Sequence, residues 1–188
     1  MNKNSNITLN KGKIATLLIA SFLSLYFEML VIRWLGSEIR LFSYFKNLIM
    51  MAAFLGLGVG FALSSRKQNF WEWIIPAFLV FVPLVIALSR TGGGNVVVPD
   101  PSEYLWKAHT LPLWVSTPLF VFLIIVFFSL TLILFIPAGQ LVGRHMRGLP
   151  PIKAYVINLI GSLIGIWTFA LVSYMQLPPW AWFSVGLI

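Results

Sequence analysis

The sequence contains no cysteine and little charge, and both shortages narrow what the chain can be. Without cysteine it forms no disulfide, thiolate metal site or cysteine nucleophile, and its redox compartment stays undetermined. Only 10% of its 188 residues are charged, whereas a soluble domain carries about 25%. Because 59% of the residues are hydrophobic, the composition indicates an integral membrane protein whose main partner is the lipid bilayer.

Acidic residues are especially scarce. Five Asp and Glu stand against 13 Lys and Arg, which gives a net charge of +8. We do not expect a nucleic-acid partner, because the basic residues lie in short loops between apolar runs rather than on one face. His109 has no second ligand at a metal-binding spacing. We therefore assign no catalytic residue, no metal site and no cofactor to this chain.

The apolar runs predict an all-α fold, a polytopic transmembrane helix bundle with five full spans and a partial sixth. A cytoplasmic tail of residues 1–13 precedes the transmembrane domain of residues 14–188. The predicted spans cover residues 14–35, 39–63, 70–89, 118–142, 154–176 and, in part, 180–188. The last stretch reaches only about 14 Å as a helix, so we expect the native chain to continue past Ile188. The outer loop of residues 90–117 is expected to be a connector, with partner binding or gating as the alternative.

The first two spans form a predicted hairpin that buries charge. Glu28 lies nine residues before the middle of the turn at residues 36–38, and Lys46 lies nine residues after it. A continuous hairpin would place both at a depth of roughly 13 Å, near the middle of the bilayer. Since an isolated charge there costs several kcal/mol, we expect the two to face each other, with Arg33 completing a buried charge cluster. The cluster is interpreted either as a clamp between helices or as a functional site.

Small residues recur at a spacing of four in two of the spans. Gly56 and Gly60 lie in the second span, and Gly161 and Gly165 lie in the fifth. This spacing puts each pair on one helix face and lets another helix approach closely. Asn158, three residues before Gly161, is expected to hydrogen-bond within such a contact. Helix packing is preferred over nucleotide binding for the glycine run of the second span, because no strand precedes it.

The distribution of Lys and Arg predicts the orientation of the chain. With the N-terminus in the cytoplasm, the inner segments carry eight Lys and Arg and the outer segments carry four. The positive-inside rule therefore predicts a multi-pass protein of the cell (inner or plasma) membrane with a cytoplasmic N-terminus. A basic cytoplasmic loop contains Arg144, Arg147 and Lys153. It is expected to contact anionic lipid, with docking of a soluble domain or an anionic substrate as the alternative.

Four stretches carry a resemblance to a known family. Ser24–Glu28 followed by Arg33–Gly36 resembles the first helix of the membrane-embedded spermidine synthase-like proteins, which are polyamine aminopropyltransferase relatives with an N-terminal transmembrane region. Phe54–Gly60 is similar to their second helix, and Ala154–Gly165 to their tyrosine–asparagine–glycine helix. The resemblance implies a cytoplasmic Rossmann-like domain after the membrane region, which binds a decarboxylated S-adenosylmethionine-type nucleotide and a polyamine. These 188 residues contain no βαβ pattern that would supply such a domain.

Three functions are therefore considered. The chain could be the non-catalytic membrane domain of a spermidine synthase-like protein, anchoring a missing C-terminal domain. It could be an accessory subunit that packs against other membrane subunits in a larger complex. Alternatively, it could be half of a small-molecule or ion transporter that uses buried Glu28, Arg33 and Lys46. Any transferase activity would need a domain outside this sequence.

Overall fold

The computed structural model describes residues 3–91 and 113–187, and within these ranges it is helical with no strand. The all-α prediction is confirmed. The described residues form seven α-helices, which are in chain order α1 Lys3–Glu38, α2 Arg40–Tyr44, α3 Lys46–Ala62, α4 Ile74–Arg90, α5 Leu113–Met146, α6 Pro151–Tyr174 and α7 Pro179–Leu187. Five of them, α1 and α3 to α6, are long and apolar enough to cross a bilayer, as expected for a multi-pass membrane protein.

The connection between the first two spans differs from the predicted turn. Helix α1 continues to Glu38, Ile39 adopts an extended conformation, and the short helix α2 follows before the chain breaks again at Phe45. The second span therefore begins at Lys46 rather than at Ile39. The break between the two spans has a local cause. Residues Arg40–Tyr44 close a separate helical turn whose Leu41 and Phe42 side chains are buried. The insertion changes the depth of every residue that follows it.

Helices α3 and α5 form one closely packed pair. A Cβ atom added at Gly56 or Gly60 would meet the backbone carbonyl of Leu132 or Ile136 on α5. In return, a Cβ atom at Gly139 of α5 would meet the carbonyl of Leu57. The missing side chains allow the two backbones to touch, which is how small residues favour association of membrane helices.

Helices α1 and α6 form the second close pair. A Cβ atom at Gly161 would lie 2.6 Å from the carbonyl oxygen of Leu18, and one at Gly165 would meet the carbonyl of Phe22. Beside these glycines the Ser21 hydroxyl donates a hydrogen bond of 2.7 Å to Oδ1 of Asn158. The four glycines and the asparagine singled out in the sequence thus all lie at these two helix pairs.

An aromatic cluster joins the two pairs to the remaining helices. Its members are Tyr26, Trp34, Phe42, Phe81, Phe127, Phe169 and Trp182, with ring centroids of neighbouring members 5.1 to 6.2 Å apart. The Tyr26 hydroxyl donates a 2.7 Å hydrogen bond to the Trp182 carbonyl and so fastens α7 to α1. The cluster forms the main buried core of the bundle.

Other helix boundaries differ from the predicted ones by smaller amounts. Helix α1 begins at Lys3, so the expected polar tail of residues 1–13 continues the first helix over most of its length. Helix α5 begins at Leu113 and ends at Met146, which places Arg144 inside the helix rather than in a loop. Most of the predicted outer loop, together with His109, lies outside the described residues.

Candidate functional site

Glu28 is the one residue of the predicted charge cluster that the structure places in the interior of the bundle. It lies on α1, ten residues before the helix ends at Glu38. At 1.5 Å per residue this separation is about 15 Å, half the thickness of a bilayer core of about 30 Å. Its side chain is 0% exposed. The carboxyl group is therefore enclosed by protein, about half the thickness of a bilayer core away from the end of α1.

No group in the described chain hydrogen-bonds to this carboxyl. Both Glu28 oxygens are buried, and neither has a hydrogen-bond partner in residues 3–91 and 113–187. Buried polar groups in folded proteins are almost always paired, because an unpaired one costs a large part of its hydration energy. An unpaired carboxyl inside a bundle of membrane-spanning helices departs from this pattern, which makes Glu28 the candidate site.

Arg33 and Lys46 do not join Glu28, so the predicted cluster of three buried charges is wrong for these two residues. Both side chains are exposed. The Arg33 guanidinium lies 5.6 Å from the ring centre of Trp182, where it makes a cation–π contact. The Lys46 side chain lies beside Gly36, because a Cβ atom there would be 3.1 Å from Cε of Lys46.

The misplacement of Lys46 follows from the inserted helix α2. The predicted hairpin assumed two continuous helices on either side of one turn. In the structure Lys46 is the first residue of α3 and lies at the level of Gly36, eight residues past Glu28. That is about 12 Å away along the axis of α1. Lys46 is therefore near a helix end, where a lysine is inexpensive, rather than opposite Glu28.

Two serines continue the polar face of α1 beyond Glu28. Ser21, Ser24 and Glu28 are spaced three and four residues apart, so they lie on one side of the helix, and all three are buried. The Ser24 hydroxyl donates a 2.7 Å hydrogen bond to the Ala20 carbonyl. The Ser21 hydroxyl is within 2.8 Å of the Leu17 carbonyl and also contacts Asn158 of α6. We call Ser21, Ser24 and Glu28 the polar column of α1.

The two serines were not among the predicted site residues, although their spacing is visible in the sequence. Three polar residues at helical spacing in a run that is otherwise apolar mark one face as different from the rest. On α5, which also packs against α1, Thr131 is a second buried residue whose hydroxyl has no hydrogen-bond partner in the part of the chain described. It lies one helical turn beyond Phe127, which makes an edge-to-face contact with Phe42 of α2.

A separate set of hydrogen bonds holds the end of the bundle that contains the basic residues. The Gln140 side chain, buried on α5, donates to the carbonyls of Leu63 and Gln68 and accepts from the backbone amide of Phe70. One turn later the Arg144 guanidinium donates to the Asn69 side chain and to the carbonyls of Arg66 and Gln68. Of the three predicted loop cations, Arg144 thus fixes the connection between α3 and α4, while Arg147 and Lys153 are exposed.

The described residues contain no cluster that resembles a metal centre. No group of three or more His, Cys, Asp or Glu side chains comes together within residues 3–91 and 113–187. Glu38, the other acidic residue of α1, accepts a 2.6 Å hydrogen bond from the Ser89 hydroxyl of α4. Glu28 and Glu38 therefore differ sharply in environment although they share one helix.

Comparisons of the chain with protein-family models, with curated proteins and with solved structures found no match.

Proposed function

We propose that this chain is a non-catalytic integral membrane domain that packs against other membrane subunits or anchors a soluble domain, with its N-terminus in the cytoplasm. The observation that carries the proposal is the two-sided character of α6. One side fits Gly161 and Gly165 closely against α1. The other side exposes apolar side chains along its whole length, at Ile152, Tyr155, Leu159, Leu163, Trp167, Leu171 and Tyr174.

This surface is the kind that meets lipid or another subunit. Leu163 is about half exposed and Trp167 is 69% exposed, which a soluble protein would avoid over so long a helix. Helix α4 has a similar character, with Ile75 and Leu79 exposed. In the bilayer such side chains carry no penalty, and packing between helices then depends on shape.

The resemblance of the first, second and fifth spans to spermidine synthase-like membrane proteins supports the anchoring version of the proposal. In that version a cytoplasmic domain follows the membrane region. The intact mass of the native polypeptide separates the two versions. A mass well above 21.2 kDa favours anchoring, and aminopropyl transfer would then be assayed on the whole protein. A mass of 21.2 kDa favours the accessory subunit.

The orientation is tested with single cysteines, which the absence of native cysteine makes possible. Lys67→Cys and Gly148→Cys lie at the proposed cytoplasmic end, and Ser37→Cys and Thr91→Cys lie at the opposite end; all four positions are exposed. In intact cells a membrane-impermeant maleimide should label positions 37 and 91, and it should label positions 67 and 148 only after permeabilisation. The reverse pattern would contradict the cytoplasmic N-terminus.

The accessory version is tested on the exposed face of α6. A spin label at Leu163→Cys should contact oxygen freely in the purified chain in liposomes, because that face then meets lipid. In native membranes a covering subunit should reduce the contact, while Leu79→Cys on α4 reports a second apolar face for comparison. Equal oxygen accessibility in both preparations would contradict an accessory subunit on this face.

Transport is a second candidate, and one observation favours it. Glu28 is a buried carboxyl without a hydrogen-bond partner among the described residues, and such groups mark substrate or proton pathways in membrane proteins. Uptake of a charged solute or of protons into proteoliposomes that is lost in Glu28→Gln would support this candidate. The exposed Arg33 and Lys46 then lie apart from the site.

A further inference from the structure

We propose that Glu28 is a proton-binding site whose carboxyl group takes up and releases a proton inside the bundle, by way of the polar column of α1. The equilibrium is the simplest acid–base step, in which a carboxylate and a proton form a carboxylic acid, and one O–H bond forms or breaks. The proposal adds a ligand and a route to the proposed membrane domain, and it does not depend on a catalytic role.

Glu28 faces no counter-charge among the described residues. The helices that pack against α1 are α2 to α7. In the described chain their charged or titratable side chains lie near helix ends, namely Arg40, Tyr44, Lys46, Arg90, Arg144, His145, Lys153, Tyr155 and Tyr174. On α1 itself, Tyr26 donates its hydroxyl proton to the Trp182 carbonyl, and Arg33 is exposed. An ionised Glu28 would therefore remain unneutralised in the apolar interior, at a cost of several kcal/mol.

The burial of Glu28 limits the size of any ligand that reaches its carboxyl group. Glu28 is 0% exposed, so an organic amine or a basic side chain of another subunit cannot reach it without separating helices. A hard divalent cation needs about six oxygen ligands. Besides the two Glu28 oxygens, the described residues leave only the hydroxyls of Thr131 and Ser64 buried without a partner among oxygens. A proton needs one acceptor atom and no coordination shell.

The serine hydroxyls of the polar column lie on a route between Glu28 and the end of the bundle. A hydroxyl group both donates and accepts a hydrogen bond, so it can pass a proton along a chain of such groups. Ser24 lies one turn from Glu28 on the same face of α1, but its hydroxyl donates to the Ala20 carbonyl and must rotate to reach the Glu28 carboxyl. Ser21 lies one turn further and contacts Asn158. Asn158 is partly exposed and lies seven residues after Pro151, the first residue of α6, or about 10 Å from that helix end. The column therefore leads from the middle of the bundle toward its basic end.

Infrared spectroscopy tests the proposal directly, because the C=O stretch of a carboxylic acid differs from that of a carboxylate. The whole chain is reconstituted in liposomes and titrated with acid and base. In the wild type we expect one component of the carboxylic-acid band that titrates reversibly, shifts in D₂O, and is missing from Glu28→Gln, while the band of the other four acidic side chains remains. Glu38→Gln is the matched control, since it removes the other carboxyl of α1 and should retain the band.

Two further variants test the route. Ser21→Ala and Ser24→Ala remove a hydroxyl but keep the helix, and each should slow the exchange of the Glu28 proton for deuterium. Helical content and gel-filtration behaviour confirm that each variant is folded, and any variant that fails this check is replaced by Ser→Cys at the same position, which keeps a weaker donor.

The outcomes are distinct. Identical spectra for the wild type and Glu28→Gln at every pH would overturn the proposal, because Glu28 would then never carry a proton. A band that neither titrates nor shifts in D₂O would also overturn it, since the acid would be permanently sealed. Exchange that is unchanged in both serine variants would overturn the route through the polar column. None of these results depends on whether the chain anchors a soluble domain or packs as an accessory subunit.

Discussion

Substitution of Gly161 by alanine probes a close approach between α1 and α6. The added Cβ atom would lie 2.6 Å from the Leu18 carbonyl oxygen and 3.0 Å from Cβ of Ser21. The first atom belongs to the backbone of a helix and cannot move aside, so α6 must shift outward. Overpacking of this kind costs typically 1–3 kcal/mol. The same shift should stretch the hydrogen bond between Ser21 and Asn158, which is 2.7 Å long.

The assay is reversible unfolding of the purified chain in mixed micelles of increasing SDS content, followed by tryptophan fluorescence. We expect Gly161→Ala to lower the free energy of unfolding by about 1–3 kcal/mol. Gly58→Ala is the matched control, because a Cβ atom at Gly58 has no neighbour within 4 Å. That substitution should be neutral, or stabilise α3 by at most about 1 kcal/mol. Equal stabilities of the two variants would refute the reasoning about close packing.

Three more substitutions test other contacts. Gln140→Leu removes three hydrogen bonds to the connection between α3 and α4. At about 1 kcal/mol for each bond, it should destabilise the protein by about 3 kcal/mol and speed amide exchange of that connection. Unchanged amide exchange would contradict this prediction. Tyr26→Phe removes the hydrogen bond to Trp182 and should cost about 1 kcal/mol, with faster exchange confined to α7. Asn158→Ala should cost about 0.6–1 kcal/mol in the same unfolding assay, and a loss above that would mean that Asn158 does more than bond to Ser21.

The sequence predicted the helices and their tight pairing because those properties are local. Long apolar runs require helices in a bilayer, and glycines four residues apart mark a face whatever its partner is. Which helix each glycine face would meet was not predictable from spacing. The pairing of Gly60 with α5 and of Gly165 with α1 depends on the arrangement of all helices.

The candidate site was predictable only in part. Glu28 stood out because a charge in the middle of an apolar span is costly. The position of Lys46 was predicted wrongly because two bends flank α2, at Ile39 and at Phe45. Neither residue is a strong helix breaker, so nothing in the sequence indicates these bends. Depth in a membrane is summed along the chain, and one unexpected turn displaces every later residue. The helical spacing of Ser21 and Ser24 is present in the sequence. It indicates a polar column only once Glu28 is known to be buried on the same face.

The most direct test of the solitary position of Glu28 is a double-mutant cycle with Lys46. The free energies of unfolding are measured for the wild type, Glu28→Gln, Lys46→Gln and the double variant. Because the two side chains are not paired and lie about 12 Å apart along the axis of α1, the two effects should add within about 0.5 kcal/mol. A coupling free energy of about 1–3 kcal/mol between the two substitutions would contradict the structure and support the predicted buried ion pair instead.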